Sequence, residues 1–276
     1  MRYTLQTWKY ILRNFFFILP FAVIPACFLS LTVARGDFLS VYEKLLAGNL
    51  AGITFSEIFQ VVSILNFSSG PALLFSVLGV LALIICGAIL MAFLDKHMRI
   101  GKCTYNGMFS RLNENLLPTF WVVLILLLIY ELWAALLSLL LLLTTLLPSP
   151  FSYASAAFVV FAMHFLFLYL VACLYLWLPC MQITGFRAFE ALRYSYILVE
   201  PLRQRIVFSQ LFSMLFAEIL ISASVLLLPN MEIVSIVVTA LLYMFMIMQF
   251  CVRMQVVYFD REQIERLDLR PSYYHL

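Results

Sequence analysis

Charged residues are scarce in this 276-residue chain, since Asp, Glu, Lys and Arg make up 11% of it while 65% is hydrophobic. The mean hydropathy is +1.04. A chain with so little polar side chain cannot cover the surface of a soluble globule. We also find no glycine-rich phosphate loop, nucleophile elbow or HExxH motif, so the sequence predicts no enzyme of the soluble hydrolase kind. The composition is that of a polytopic membrane protein.

Cysteine is missing from every segment that we predict to face an oxidising compartment, which leaves no disulfide to form there. No CxxC or Cys/His spacing suggests zinc, so we expect no metal site and no cofactor. The six cysteines are therefore interpreted as reduced, small, apolar fillers. They are Cys27, Cys86, Cys103, Cys173, Cys180 and Cys251.

Six apolar stretches are long enough to cross a hydrocarbon core of about 30 Å as helices. Leu, Ile, Phe and Ala dominate them, whereas transmembrane strands show short segments of alternating polarity. The predicted fold class is therefore all-α, a single six-helix transmembrane domain over 1–276. The predicted spans are 15–33, 72–94, 117–147, 153–178, 206–228 and 231–257.

The first stretch has two interpretations. It follows Lys9 and Arg13, which is also how a secretory signal peptide begins. No obvious soluble domain follows to be exported, so we favour a retained helix that is kinked by Pro20 and Pro25.

Positive charge is distributed unevenly between the segments that join these spans. Fifteen of the 17 Lys and Arg lie before span one, between spans two and three, between spans four and five, or at and after the end of span six. Only Arg35 and Lys44 lie in the other segments. The positive-inside rule predicts that the fifteen face the cytoplasm, which places both termini inside.

The stretch "FRAFEALRYSYILVEPLRQR" at 186–205 gathers many of these ions into an amphipathic helix. Its apolar face is aromatic, which suits a helix at the inner membrane interface or beneath the bundle. Arg187, Arg193, Arg203 and Arg205 are candidate contacts for anionic lipid head groups. We favour the alternative interpretation, in which such charges serve only to set the topology.

Similar stretches precede the other outward spans, at 4–17 and 105–121. The chain is therefore readable as three copies of an interfacial helix followed by a helical hairpin. The alternative explanation is that the three stretches are unrelated and have a similar composition only because each lies at the membrane interface.

The only long segment on the predicted outer side is 34–71. Within it, "TFSEIFQVVSILNF" at 54–67 has a helix start signal at Thr54 or Ser56 and apolar residues at helical spacing. We predict an interfacial helix that lies flat on the outer leaflet. A lid over a cavity is the alternative.

Three ionisable residues lie well inside predicted spans, where charge is costly by about 2.5–3.5 kcal/mol on insertion scales. Glu131 lies about 21 Å along span three and Glu218 about 18 Å along span five, at 1.5 Å per residue. His164 lies near the middle of span four. Together they form a candidate intramembrane polar site, either a proton relay or cation site or a hydrogen-bonded set that joins helices. We favour the structural interpretation.

Two further polar residues lie near the inner end of span six. We expect Arg253 to extend its guanidinium to the interface and Gln249 to bond a neighbouring helix.

The segment "QITGFRAFEALRYSYILVEPLRQRIVFSQL" and the tail "VVYFDREQIERLDL" resemble bacterial six-span families of largely unassigned function. These include YciC-like proteins and the membrane domain attached to some glycerophosphodiester phosphodiesterases, with YesL-like proteins a second choice. The resemblance rests on an "A-L-x-x-S-x-x-L-V" helix and a "Y-x-D" ending. The matching residues are Ala191, Leu192, Ser195, Leu198, Val199, Tyr258 and Asp260.

The resemblance implies a cytoplasmic-membrane protein with a role in envelope homeostasis or as an accessory to transport. The catalytic domain of the phosphodiesterase is absent from the sequence, so its activity is not implied. We therefore predict a non-enzymatic accessory or regulatory protein, with membrane lipids and other membrane proteins as partners and no nucleic acid. The rival hypotheses are a small secondary carrier or channel that uses Glu131, Glu218 and His164, and an intramembrane lipid enzyme.

Overall fold

The computed structural model describes residues 2–48, 52–101, 108–148, 150–227 and 231–269. All regular structure in these ranges is helical, which confirms the all-α prediction. The α-helices are α1 Arg2–Arg13, α2 Phe15–Ser30, α3 Arg35–Leu46, α4 Phe55–Val62, α5 Gly70–Ile100, α6 Met108–Thr144, α7 Phe151–Cys173, α8 Trp177–Thr184, α9 Ala188–Val199, α10 Arg203–Leu227 and α11 Glu232–Arg261.

Five stretches of helix in the described residues are long and apolar enough to cross a membrane. They are Gly70–Ile100, Asn115–Thr144, Phe151–Thr184, Ala188–Leu227 and Glu232–Arg261. The sixth predicted span differs, because α2 has only 16 residues and reaches about 24 Å at 1.5 Å per residue. It makes a sixth span only when it is counted together with α1, from which it bends by 97°.

The bend lies at Asn14, whose side-chain amide donates to the carbonyl of Tyr10 at 3.0 Å. The chain leaves the helical conformation there for a single residue before α2 begins. The right angle suits the interfacial helix predicted around 4–17. Pro20 and Pro25 both lie inside α2.

The other two predicted interfacial helices have a different geometry. Around the stretch 105–121, residues 102–107 lie outside the described ranges, and Met108–Thr144 runs as one continuous helix. The helix α9 is followed by a 3₁₀ turn at Glu200–Leu202 and then by α10, together a 40-residue rod without a sharp bend. The three predicted units are therefore not alike in shape, and their origin by internal repetition stays a prediction.

The core is organised around α5, which packs against α2, α6 and α11. Of the most apolar 18-residue stretch of α5, 56% is buried, against 22–28% for the other four candidate spans. Many large apolar side chains in the middle of the outer helices are exposed, Leu128, Phe158 and Phe212 among them. Such a band of exposed apolar surface is what a lipid-embedded bundle requires.

One end of the bundle, which we call the basic end, carries Arg2, Arg99, Arg205 and Arg253. There α1 packs along α11, and the Tyr3 hydroxyl donates to Asp260 at 2.5 Å. The segment after α11 folds back onto α5. Gly101 closes α5 with a φ of 75°, and a Cβ at that position would lie 3.0 Å from the Leu267 carbonyl oxygen. Glycine is therefore required there by both its backbone conformation and the space available.

The opposite end of the bundle holds α3 and α4, which pack against each other. The predicted helix at 54–67 begins after Thr54 as expected but ends at Val62, with a capping box between Thr54 and Glu57. The helix α3 was not predicted. Glu57 joins the two helices by accepting from Lys44 Nζ at 2.5 Å and from the Ser40 hydroxyl at 2.9 Å.

Candidate functional site

Glu131 on α6 is hydrogen bonded to the loop that follows α4. Its Oε1 accepts from the backbone amides of Ile64 at 3.1 Å and Leu65 at 3.0 Å, and its Oε2 accepts from the Ser63 hydroxyl at 2.6 Å. The adjacent Tyr130 hydroxyl donates to the Val62 carbonyl at 2.8 Å. Glu131 thus satisfies backbone donors that would otherwise be left unpaired where the chain turns back into the bundle.

His164 and Glu218 form a pair that joins α7 to α10. Nε2 of His164 lies 3.0 Å from both carboxylate oxygens of Glu218. The imidazole side chain is 4% exposed and the Glu218 side chain 41% exposed. The pair therefore has one buried member and one that reaches the surface of the bundle within the apolar band.

The protonation of this pair follows from its other contact. Nδ1 of His164 lies 2.8 Å from the carbonyl oxygen of Val160, which can only accept, so Nδ1 carries a proton. Nε2 then donates to Glu218 only if the ring is charged, and otherwise accepts from a protonated carboxyl. Either way the pair shares one proton and has no net charge, which is the arrangement that costs least inside a membrane.

A tryptophan on α6 holds the histidine in place. The Trp133 ring meets His164 edge to face at 5.0 Å between centroids, and its Nε1 donates to the Met163 carbonyl at 2.8 Å. Of the three residues predicted to form a polar site, the structure joins His164 with Glu218 and bonds Glu131 to the loop at 63–65. The three residues therefore belong to two separate sets of hydrogen bonds.

The four arginines predicted to contact lipid head groups lie in three settings. Arg187 and Arg193 are exposed beside α9. Arg203 stacks its guanidinium 4.2 Å from the centroid of the Tyr196 ring and donates to the Tyr169 hydroxyl at 3.1 Å. Arg205 lines a cavity at the basic end.

The helix α9 has a buried face of small side chains and an exposed face of aromatic ones. The residues turned towards the bundle are Ala191, Ser195 and Val199, whereas Phe189 is 86% exposed and Tyr196 is also exposed. Small side chains allow the helix to approach its neighbours closely, so the aromatic residues are left on the outside.

The cavity at the basic end contains a functional candidate that the sequence analysis missed. Arg253 is only 3% exposed, so its guanidinium is buried between helices, and its extension to the level of the interface stays a prediction. Its Nη1 donates to the Ser209 hydroxyl at 2.5 Å, while its Nε is buried with no hydrogen-bond partner among the described residues. One feature of the sequence could have pointed to this cavity. Ser209 follows Arg205 by four residues, which puts both side chains on one face of α10. Gln249 does bond the neighbouring helix as predicted, donating to Ser213 at 3.0 Å.

Within the described ranges, no group of three or more His, Cys, Asp and Glu side chains is placed to hold a metal ion. The cysteines described there are free thiols, and Cys103 lies outside those ranges.

Comparison with known proteins adds no family to this picture. No protein-family model matches the chain, and no curated protein or solved structure gives a significant match. The resemblance to YciC-like and YesL-like proteins stays a prediction.

Proposed function

We propose that this protein is a non-enzymatic component of the bacterial cytoplasmic membrane that acts as an accessory or regulatory protein through contacts with lipids and other membrane proteins. In this proposal α2 is a sixth crossing, the basic end faces the cytoplasm, and both termini are inside. The association with envelope homeostasis or transport rests on the resemblance of the C-terminal third.

The observation that carries the proposal is that Glu131 is hydrogen bonded to the loop at 63–65. Its carboxylate is occupied by three donors from one loop, and it does not share a hydrogen bond with the His164–Glu218 pair. A carrier that used all three residues would need them around one path for its ion. Two separate sets of bonds fit a role in joining helices and loops.

The position of the chain ends supports an even number of crossings. Tyr3 and Arg2 both contact Asp260, at 2.5 and 3.4 Å, so the beginning of α1 and the end of α11 lie side by side. Two ends at one face of a bundle require an even number of passages through the membrane, which is met if α2 crosses.

The surface of α9 supports contacts with lipids or partners. Phe189, Tyr196 and Ile197 are large and exposed, and the exposed Arg193 lies on the same helix. Aromatic side chains beside basic ones are suited to the boundary between head groups and acyl chains.

A second candidate function is a proton-coupled carrier or channel that uses the His164–Glu218 pair. It is favoured by the contact between a histidine and a carboxyl in the middle of two helices, since these two groups exchange protons readily.

The double variant Glu131→Gln with Glu218→Gln separates the two candidates. In proteoliposomes under a pH gradient, we expect no loss of proton flux relative to wild type, and a lower thermal midpoint. Glu43→Gln, at an exposed position of α3, is the matched control and should change neither quantity. A normally folded double variant that loses a flux present in wild type would contradict the accessory role and establish the carrier.

A further inference from the structure

We infer that the cavity between α1, α10 and α11 at the basic end binds the phosphate group of an anionic phospholipid, with Arg253 as its innermost ligand. The inference deepens the proposed function, because it names one lipid chemistry and one place for it. The cavity is lined by Arg2, Tyr3, Thr4, Arg205, Ser209 and Arg253.

Arg253 supplies the first reason to expect an anion. A buried guanidinium is costly unless it is paired and hydrogen bonded. Here the neutral Ser209 hydroxyl is its bonded partner, and the buried Nε has none among the described residues. A phosphate in the cavity that Arg253 lines would supply the missing negative charge, and its oxygens match guanidinium nitrogens in pairs.

The charge around the cavity is the second reason. Three guanidinium groups line it, those of Arg2, Arg205 and Arg253. The carboxylate of Asp260 lies near Arg2, at 3.4 Å from its Nη2, and offsets one of these charges. That carboxylate also accepts from the Tyr3 hydroxyl. The remaining positive charge is unbalanced by these contacts and favours an anionic ligand.

The size and depth of the cavity point to a head group. Its volume is about 140 Å³, about ten times the minimum that holds one water molecule. Arg253 follows the first residue of α11, Glu232, by 21 positions, or about 32 Å of helix at 1.5 Å per residue. That is about the thickness of the hydrocarbon core, so with Glu232 at one boundary of the core Arg253 lies at the other, near the phosphates of that leaflet.

Hydroxyl groups in the lining complete the site. Ser209 accepts from Arg253 through its oxygen and so retains its own proton for a ligand. Thr4, in the first turn of α1, adds a second hydroxyl. Donors of this kind, added to guanidinium groups, give a phosphate several hydrogen bonds at once.

Native mass spectrometry of the full chain, released from detergent micelles doped with phosphatidylglycerol or with phosphatidylcholine, tests the inference. We expect wild type to retain phosphatidylglycerol and to retain phosphatidylcholine less. Arg253→Gln should weaken the retention of phosphatidylglycerol about ten-fold, the size of a lost charge-assisted hydrogen bond. Lys9→Gln, at an exposed position of α1 that does not line the cavity, is the matched control and should behave as wild type.

Two further experiments identify the source of the phosphate and keep the test valid if Arg253→Gln does not fold. Inorganic phosphate added to the micelles should compete only weakly with the lipid; strong phosphate binding without lipid retention would overturn the head-group assignment in favour of a free anion. If Arg253→Gln does not fold, Arg253→Lys and Ser209→Ala take its place, and each should also weaken retention. Equal retention by wild type and by all folded cavity variants would overturn the site.

The outcome is independent of the test for the proposed function. If the cavity binds no phosphate, the accessory role can still be exerted through protein contacts. A proton flux that is lost in the Glu131 and Glu218 double variant would contradict the accessory role, whatever the cavity binds.

Discussion

Nε2 of His164 lies 3.0 Å from both carboxylate oxygens of Glu218, which ties the middle of α7 to the middle of α10. Because Nδ1 of the same ring faces the Val160 carbonyl, the pair shares a single proton. This arrangement can hold two helices together in either of its protonation states, since a hydrogen bond is present in both.

The first prediction concerns the chemical nature of that bond. Glu218→Gln should lower stability by less than about 1 kcal/mol, because the amide can still donate to the neutral ring. Glu218→Leu leaves Nε2 without a partner and should cost about 1–3 kcal/mol. Thermal melts in one detergent check this. Equal losses for the two variants would mean that the charged form of the pair holds the helices.

The loop after α4 should depend on Glu131. Glu131→Leu removes both acceptor oxygens and leaves the backbone amides of Ile64 and Leu65 without their acceptor, so we expect a loss of about 1–3 kcal/mol. Amide hydrogen exchange at Ile64 and Leu65 should become faster, since these amides donate to the carboxylate. Tyr130→Phe removes only the bond to the Val62 carbonyl and should cost about 1 kcal/mol. Unchanged exchange in Glu131→Leu would show that other contacts fix the loop.

The packing of α3 on α4 should weaken in acid. The bonds from Lys44 and from the Thr54 backbone, with those of the Ser40 and Thr54 hydroxyls, lower the pKa of Glu57 from 4.5 to about 2. A lowered pKa in the folded state means that this contribution to stability is complete above the unfolded value. It is then lost as the pH falls from about 4.5 towards about 2.

Thermal melts of wild type and Glu57→Gln across that range measure the effect. The wild type should be the more stable protein at neutral pH, and the difference between the two should shrink as the carboxylate is protonated. A difference that does not change with pH would show that Glu57 acts through its shape and not its charge.

Two glycines on α5 provide a matched pair for testing how closely the helices pack. A Cβ at Gly79 would lie 2.9 Å from Leu29 Cδ2 on α2, whereas a Cβ at Gly87 would lie 3.8 Å from its nearest neighbour, the Thr119 methyl carbon. Gly87→Ala should keep or raise the thermal midpoint, because alanine favours helix by about 0.5–1 kcal/mol. In Gly79→Ala that gain should be cancelled by overpacking, which costs about 1–3 kcal/mol. The reverse order of midpoints would contradict the packing of α2 on α5.

The orientation of the bundle can be tested with cysteines at its two ends. Lys44 is paired with Glu57, so an amine reagent is a poor probe there, whereas Leu46 is 71% exposed and Phe189 86%. In intact cells an impermeant maleimide should label Leu46→Cys and spare Phe189→Cys, with wild type as the background. The opposite pattern would place the basic end outside.

Some features of the candidate sites were accessible from sequence and others were not. The capping signal at Thr54 depends on neighbouring residues alone, and it was confirmed. The depth of Glu131 and Glu218 follows from counting residues, but depth does not say which way a side chain faces. In the folded protein the orientation of α6 about its axis directs Glu131 to the 63–65 loop. The orientation of α10 directs Glu218 to His164.

The amino-acid sequence by itself determined that the chain is helical and lies in a membrane, because long apolar stretches in lipid can satisfy their backbone groups only within a helix. It also determined where the positive charge is concentrated. Only the tertiary structure decided that α3 exists, that α2 leaves α1 at a right angle, and that Arg253 is buried beside Arg205. The reason is physical: lipid tails and neighbouring helices are equally apolar, so hydrophobicity places a helix in the membrane without choosing its neighbours.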